Sequence, residues 1–374
     1  MPRLRNAALS GTAALTLACA VALPGGSAVA DPPSGVTPQP TDIVAVGSQS
    51  VQTLSDQLAA GYDATNPAYR FYNWDAVNPA TGLPGGTITT KNDTNCVITR
   101  PDGGAAGLAQ LQLHVLTHSG SPCADIGTYD GVPSSSGASG LAGVTFGEDL
   151  VVYADNAGGN AVGDLTSSEL AAIYQCDAKL IKSAYPDAPV TWNEVGGTSL
   201  DAVLPVLPQL GSDIRADWLA HLGVTTPGSC VVNGSFDGHL IEENEGTNAV
   251  FTPAGNPAAY RDVIVPYSGG NYVAQVYLQT NPVSPGTLRL GAENGVSPLS
   301  GEALNPGAAT NSDPLGDWQI KCVRCVNGIS LNLQALLGDG DLDSGWICSP
   351  VTVSAVKSFG FLPSPSCGTL ISVP

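Results

Sequence analysis

The sequence predicts an α/β chain of two lobes, each a mixed sheet flanked by helices and stapled by disulfides. Three observations carry that prediction. At three places a short apolar strand or loop runs through a Gly/Ser-rich turn into an amphipathic helix. Two further apolar runs, near residues 150 and 265, stand where the chain would cross to a second lobe and return. An even set of cysteines remains once the leader is set aside.

The leader is Met1 to Ala30. Arg3 and Arg5 precede an apolar stretch from Ala7 to Pro24, and Ala28-Val29-Ala30 stands before Asp31, the pattern of a secretory signal peptide cleaved after Ala30. Cys19 follows Thr16-Leu17-Ala18, a poor lipobox with apolar residues continuing beyond it, so lipoprotein anchoring is not expected. No later segment approaches the roughly 18 apolar residues of a membrane span. A secreted or cell-surface mature chain, not inserted in the membrane, is expected.

Removing Arg3 and Arg5 from the 13 basic residues leaves 11 against 32 acidic ones, a net charge of −21. Such a chain repels nucleic acid and anionic membrane surfaces, which excludes both as partners. A small anion is not excluded, because a local ring of N–H donors can hold one against the global field.

A Pro-rich linker at 31–41 comes first, followed by the first part of lobe 1 at 42–150. Its opening strand is Ile43-Val44-Ala45-Val46; Gly47-Ser48-Gln49-Ser50 then turns into a helix with Val51, Leu54, Leu58 and Tyr62 on one face. The arrangement recurs at Val97-Ile98-Thr99, the turn Arg100 to Gly104, and a helix through Leu108 and Leu111. Val144 to Ala154 reads as the crossing strand into lobe 2, at 151–265. There, Thr166-Ser167-Ser168-Glu169 is a capping box. The third turn is "PQLGSDIRADWLAHLGV", 208–224, where Gly211 and Ser212 open a helix whose apolar face is Ile214, Trp218, Leu219 and Leu222, ended by Gly223. The return to lobe 1 begins in "DVIVPYSGGNYVAQVYL", 262–278, and 266–374 carries a Cys-rich end.

Eight cysteines follow the leader: Cys96, Cys123, Cys176, Cys230, Cys322, Cys325, Cys348 and Cys367. In an exported chain they predict disulfides, with about 105 possible full pairings. Chain order suggests Cys96 with Cys123, Cys176 with Cys230, and the last four among themselves. Cys322-Val-Arg-Cys325 lacks the strand-to-helix setting of a redox motif and a second CxxC for zinc.

Enzyme and metal motifs are absent or incomplete. There is no Gly-x-Ser-x-Gly and no Walker sequence, and His114 and His118 have no HExxH. Asp339, Asp341 and Asp343 match the first ligands of a calcium loop, but Ser344 and Pro350 occupy its glycine and glutamate positions. Glu242, Glu243 and Glu245 read as a solvated run or a contact between lobes. No catalysis, cofactor or metal is expected.

What remains is the set of Gly/Ser turns at helix starts, where free N–H groups and the helix dipole favour an anion. Here the segment order resembles the phosphate-type solute-binding proteins of bacterial ABC transporters, a branch of the periplasmic-binding-protein type 2 fold. The matching pieces are "VGSQSVQTLSDQLAAGY", "RPDGGAAGLAQL", "ADIGTYDGVPS", "LTSSELAAIY", "TWNEVGG", "PQLGSDIRADWL" and "IVPYSGGNYVAQ", from 41 to about 280.

The resemblance implies a monomer whose lobes close on phosphate, or another small anion or polar solute, for delivery to an ABC permease. Carried over by position, the ligand-binding residues are Ser48, Gln49 and Ser50 in the first loop and Gly103 and Gly104 in the second. In the third they are Gly211, Ser212, Asp213 and Arg215. Asp130 falls at the family's aspartate that accepts a proton-bearing oxygen of the anion, with Tyr129 before it in place of a small residue. Gly104 stands where that family has a serine, Asp213 where it has a glycine and Ile214 where it has a threonine. A ligand-free extracellular interaction or structural protein on the same fold is the alternative. The direction of the Asp213 side chain separates the two: toward the ligand site it opposes phosphate, toward solvent it leaves the cradle available.

Overall fold

A computed structural model describes residues 31–117, 122–131, 141–236, 238–247, 259–309, 316–325, 331–339 and 341–372. Its central sheet has eleven strands, numbered here in chain order. They are β1 (Ile43–Gly47), β2 (Phe71–Trp74), β3 (Ile126–Asp130), β4 (Leu141–Asn156), β5 (Leu204–Leu207) and β6 (Val232–Asn233). Then follow β7 (Val263–Ser268), β8 (Leu288–Leu290), β9 (Gly316–Cys325), β10 (Leu362–Pro363) and β11 (Leu370–Ser372). The helices that matter for the site are α1 (Gln52–Asp63), α2 (Gly104–Thr117), α3 (Ser167–Gln175), α4 (Asp213–His221), α5 (Gly269–Val273) and α6 (Pro350–Ser358).

The sheet order is β6-β5-β7-β4-β9-β3-β1-β2, with β8, β10 and β11 also paired to β4. The 16-residue β4 joins the two halves: it pairs antiparallel with β9 over Leu141 to Val151 and with β7 over Val151 to Asp155. On one side β2, β1 and β3 run parallel, and on the other β6, β5 and β7 do. The chain therefore builds a parallel unit at each end of one long antiparallel strand.

Each half has its own core, sorted by the two-residue period of its strands. In β1, Ile43 and Ala45 pack with Leu54, Leu58, Phe71 and the C-terminal Val356 and Phe359, while Val44 and Val46 face Leu108 and Leu111 of α2. In β7, Ile264 joins Trp192, Trp218 and Ile173, while Val263 and Val265 join Val206 and Tyr272. Two lobes result, each buried on both faces of its parallel strands as such sheets require. Among the described residues no helix is long and apolar enough to cross a membrane.

Disulfides join Cys96 to Cys123, Cys176 to Cys230 and Cys348 to Cys367. The first two are the pairs that chain order suggested, and the third lies within the last four cysteines. Cys322 and Cys325 lie on β9; their side chains, with those of His114 and His118, fall outside the described residues. The capping box at Thr166 and Glu169 forms at the start of α3 as its sequence requires. Asp339, Asp341 and Asp343 are exposed.

One expected element is placed differently. Val97–Thr99 forms a hairpin with Thr87–Thr89 and takes no part in the central sheet. Polar Thr87, Thr89 and Thr99 alternate with apolar neighbours along this ribbon and leave only Ile88 buried, too little apolar surface for an inner strand. The Pro-rich 31–41 segment is tied to lobe 1: Lys91 Nζ donates to the Pro40 carbonyl at 3.3 Å, and Asn92 N–H to that of Pro38 at 2.7 Å.

Candidate functional site

The three Gly/Ser turns meet at the seam between the lobes. Gly47 ends β1 with φ +137°, and a Cβ there would stand 2.6 Å from the Thr128 carbonyl oxygen, so only glycine lets β1 turn beside β3. Ser48 N–H donates to Thr128 Oγ1 at 3.0 Å, which fixes the loop ahead of α1. Across the seam, Gly103 and Gly211 pass so closely that a Cβ on Gly103 would lie 1.9 Å from the Gly211 carbonyl oxygen. The loops are thus packed in a closed arrangement.

The Asp213 side chain points into this seam and is 1% exposed. Its Oδ1 accepts the N–H of Gly104, the first residue of α2, at 2.9 Å, and its Oδ2 accepts the Asp130 N–H at 3.3 Å. A carboxylate is therefore held where two free backbone donors would otherwise offer themselves to an anion. It also stands in the first turn of α4, so two helix dipoles favour it. The Ser48 hydroxyl faces Asp213 closely enough to favour the charged form, although it closes no hydrogen bond of good geometry.

Glu243 repeats the pattern with side-chain donors. Its Oε1 accepts the Ser50 hydroxyl at 3.0 Å and its Oε2 accepts the Ser212 hydroxyl, so one carboxylate from lobe 2 bridges the first and third loops. Ser212 at the same time caps α4 by accepting the Arg215 N–H at 3.1 Å. Gln209 orders the bridge, accepting the Glu243 N–H at 3.1 Å and donating to Gln49 Oε1 at 2.9 Å. Asn244 donates to Ser50 Oγ at 3.0 Å, and Asn271 at the start of α5 donates to the Ser50 carbonyl at 2.7 Å.

Asp130, fully buried, receives no N–H or hydroxyl donor on either oxygen. It adjoins Asp149, which accepts the N–H groups of Leu150 and Gly270, each at 2.7 Å, and the Ser268 hydroxyl. These three donors pull the Asp149 carboxyl down against the burial that raises it, and Asp149 in turn adds to the upward push that burial exerts on Asp130.

Burial dominates the electrostatics. It pushes the carboxyls of Asp130 and Asp213 well above the usual range, with Asp149 and Asp217 adding to the first and Glu243 to the second. Glu243 is also raised by burial, against the opposing pull of the Ser212 and Ser50 hydroxyls. Glu242 is pushed up to about 8 by burial and by Asp102 beside it. Asp102 is raised by burial in turn. Among the described residues no Lys or Arg side chain is hydrogen-bonded to Asp130, Asp149, Asp213, Glu242 or Glu243, and no group of three or more His, Cys, Asp or Glu is disposed to hold a metal.

Of the residues named from the sequence, Ser48, Gln49, Ser50, Gly103, Gly104, Asp130, Gly211, Ser212 and Asp213 do come together. Arg215 does not join them. Its guanidinium donates to the Pro208 carbonyl at 2.9 Å and to Asn233 at 2.8 Å, held on lobe 2 by α4 geometry that turns it from the seam. Gly104 has a direct reason to lack a side chain: a Cβ there would lie 2.6 Å from both Asp213 oxygens. The glycine of one loop and the aspartate of the other fit as a pair. Sequence reading missed Gln209, Asn244, Asn271 and Asp149, and left Glu242, Glu243 and Glu245 open between solvated and interlobe; Glu243 is a buried interlobe contact, Glu242 and Asn244 beside it are buried too, and only Glu245 is half-buried.

No family model matches the chain, and no curated protein matches it. Solved structures do. One is an ABC-type phosphate transport receptor from Vibrio cholerae, at 14% identity and a TM-score of 0.54, covering 86% of this chain and 99% of the other. Another, from Clostridium perfringens, is described as a phosphate ABC transporter substrate-binding protein with bound phosphate, at 14% identity and 0.52 over the same shares. The likeness spans both lobes and establishes the architecture: this chain has the two-lobed periplasmic-binding-protein type 2 fold.

Proposed function

We propose that the chain is a secreted, non-catalytic solute-binding protein in which two of its own carboxylates occupy the anion cradle between the lobes. The observation that carries this reading is Asp213, which takes the Gly104 and Asp130 N–H groups while Glu243 takes the Ser50 and Ser212 hydroxyls. The lobes then close around an internal anion, and an entering solute has to displace it.

Phosphate, carried by the second of the solved structures above, is disfavoured on this reading. A free oxyanion would compete for donors already satisfied and would face Asp213 and Glu243 at close range. A polar solute bringing its own donors, as an amine or a polyhydroxyl compound does, meets Asp102 Oδ1 and both Glu242 oxygens, which lack well-formed hydrogen bonds. Burying such acceptors unpaired is costly, so filling them is a source of affinity. The loaded monomer would be the form presented to an ABC permease.

Calorimetry at pH 7 with phosphate, sulfate, glucose and spermidine tests the proposal. Heat from glucose or spermidine, and none from the two oxyanions, is the expected result; tight phosphate binding by the unaltered protein would overturn it. The alternative, a ligand-free interaction module on this fold, is favoured by one specific fact: the Gly104 and Asp130 N–H groups and the Ser50 and Ser212 hydroxyls are satisfied internally. It predicts no heat from any solute and lobes that stay closed in solution scattering.

A further inference from the structure

One carboxyl group from each lobe borders the seam without a strong partner. Asp102 precedes Gly103 in the second loop and belongs to lobe 1; Glu242 precedes Glu243 and belongs to lobe 2. Glu242 is 7% exposed, yet neither of its oxygens has a hydrogen bond of good geometry, and neither does Asp102 Oδ1. Gln209 fixes Glu242 from both sides: its N–H donates to the Ile241 carbonyl at 2.8 Å, and its Oε1 accepts the Glu243 N–H at 3.1 Å. The Asp102 carbonyl oxygen would lie 3.0 Å from a Cβ on Gly211, two residues beyond Gln209, so the second loop is pressed against the same segment. Asp102 and Gln49 are half-buried and Gly211 is exposed, which leaves the pair near the mouth of the seam.

The groups that face Glu242 are acids and amides. Asp102, Glu243 and Glu245 all disfavour its charged form. The Gln49 and Gln209 amides approach Glu242 and Asp102 respectively and favour the charged forms, without closing well-formed hydrogen bonds to the orphaned oxygens. Gln209 Nε2 donates instead to Gln49 Oε1 at 2.9 Å. A neutral polyol would supply hydrogen bonds here and leave the two carboxyls repelling each other. A cation with N–H groups supplies hydrogen bonds and opposite charge together. The chain's 32 acidic against 13 basic residues draw such a cation from a distance.

We propose, resting on the solute-binding reading above, that the solute is an organic cation with N–H donors, a primary ammonium or a guanidinium, gripped between Asp102 of lobe 1 and Glu242 of lobe 2. Its arrival moves a proton. Glu242, pushed up to about 8 by burial and by Asp102, is protonated at pH 7 in the free protein, and the cation draws it to its charged form. The proton leaves the Glu242 carboxyl for the buffer, while the ammonium or guanidinium keeps its own.

Calorimetry at pH 7 with spermidine, agmatine, tetramethylammonium and glucose, each in Pipes and in Tris, tests the proposal. Spermidine and agmatine are expected to bind and to release about one proton, read from the difference between buffers of unequal ionisation heat. Tetramethylammonium, charged but without N–H, and glucose, with donors but no charge, are expected to bind more weakly by about tenfold or more. Glu242→Gln should abolish the proton release, and it and Asp102→Asn should each weaken spermidine by about tenfold or more. A cooperative melting transition in each variant separates that loss from unfolding. Glucose or tetramethylammonium bound as tightly as spermidine, proton release that persists in Glu242→Gln, or spermidine binding that survives both substitutions would overturn the proposal and leave a solute-binding protein standing. No heat from any of the four, or binding of phosphate in their place, would overturn it together with the reading it rests on.

Discussion

Replacing Asp213 with Ala tests the internal anion directly. The substitution removes the acceptor of the Gly104 and Asp130 N–H groups, at 2.9 and 3.3 Å in a site where Asp213 is 1% exposed. A buried donor left unpaired costs about 1–3 kcal/mol. Relief of the repulsion from Glu243 returns part of that, so a net loss of about 2–4 kcal/mol is expected in urea unfolding without added anion. The same change vacates a cradle with two N–H donors. Phosphate at about 100 times its Kd would then restore about 2.7 kcal/mol in the variant and leave the unaltered protein unmoved. Calorimetry on the variant supplies that Kd independently. A variant as stable as its parent, or phosphate stabilising both equally, would refute the assignment of Asp213 to the cradle.

Stability should fall as pH rises from about 6 to 9. Burial and the neighbouring Asp102 raise Glu242 to about 8, so the folded state holds a proton there that the unfolded chain releases near pH 4, and stability is lost as pH climbs through the folded value. Melting temperatures against pH check this, with Glu242→Gln flattening the slope; a rise toward pH 9 would contradict it. Gly103→Ala should hold the lobes apart, because its Cβ would meet the Gly211 carbonyl at 1.9 Å and φ is +88°; solution scattering should show a larger radius of gyration, and an unchanged one would count against the closed seam. Removing the Cys176–Cys230 bond, which spans 54 residues of lobe 2, should cost about 4 kcal/mol by loop entropy. Removing Cys348–Cys367, which spans 19, should cost about 3 kcal/mol. Urea midpoints of the paired Cys→Ala variants measure both, and the reverse order would argue against a loop-entropy origin.

The lobes were legible because their signals are local. Apolar runs of four to six residues, a capping box at Thr166 and glycines at Gly47 and Gly211 each act within a few positions of chain. The convergence of Ser48, Gly104 and Ser212 was legible through the order of segments. What occupies the cradle was not, since it depends on atoms far apart in sequence: 109 residues separate Gly104 from Asp213, and 193 separate Ser50 from Glu243. An aspartate at the first position of a helix satisfies local capping rules whichever way it points. Glu243 stands in a polar run whose Glu245 neighbour looks the same on paper, and only the fold decides that one is buried. The strand at Val97–Thr99 was misplaced for the opposite reason, a correct local reading put into the wrong sheet.

Gly104 and Asp213 fit as a pair, and Tyr129 closes the same space: a Cβ at 104 would lie 2.4 Å from Tyr129 Cδ2 and 2.6 Å from both Asp213 oxygens. A side chain at 104 would collide with Tyr129 and with the Asp213 oxygens, and a glycine at 213 would leave the Gly104 N–H buried without that acceptor. On the proposed reading, the anion of the cradle is carried by the chain, where its concentration no longer matters. The cost is an acidic seam with no bonded Lys or Arg among the described residues, in which burial pushes Asp130 and Asp149 upward and Asp149 adds to the push on Asp130. Protons and donor-bearing solutes can fill the same acceptors, whereas free oxyanions cannot. On the proposed reading, selectivity against phosphate and closure without a solute share one origin, the side chain of residue 213, while pH sensitivity comes from the buried carboxyls around it, Glu242 first.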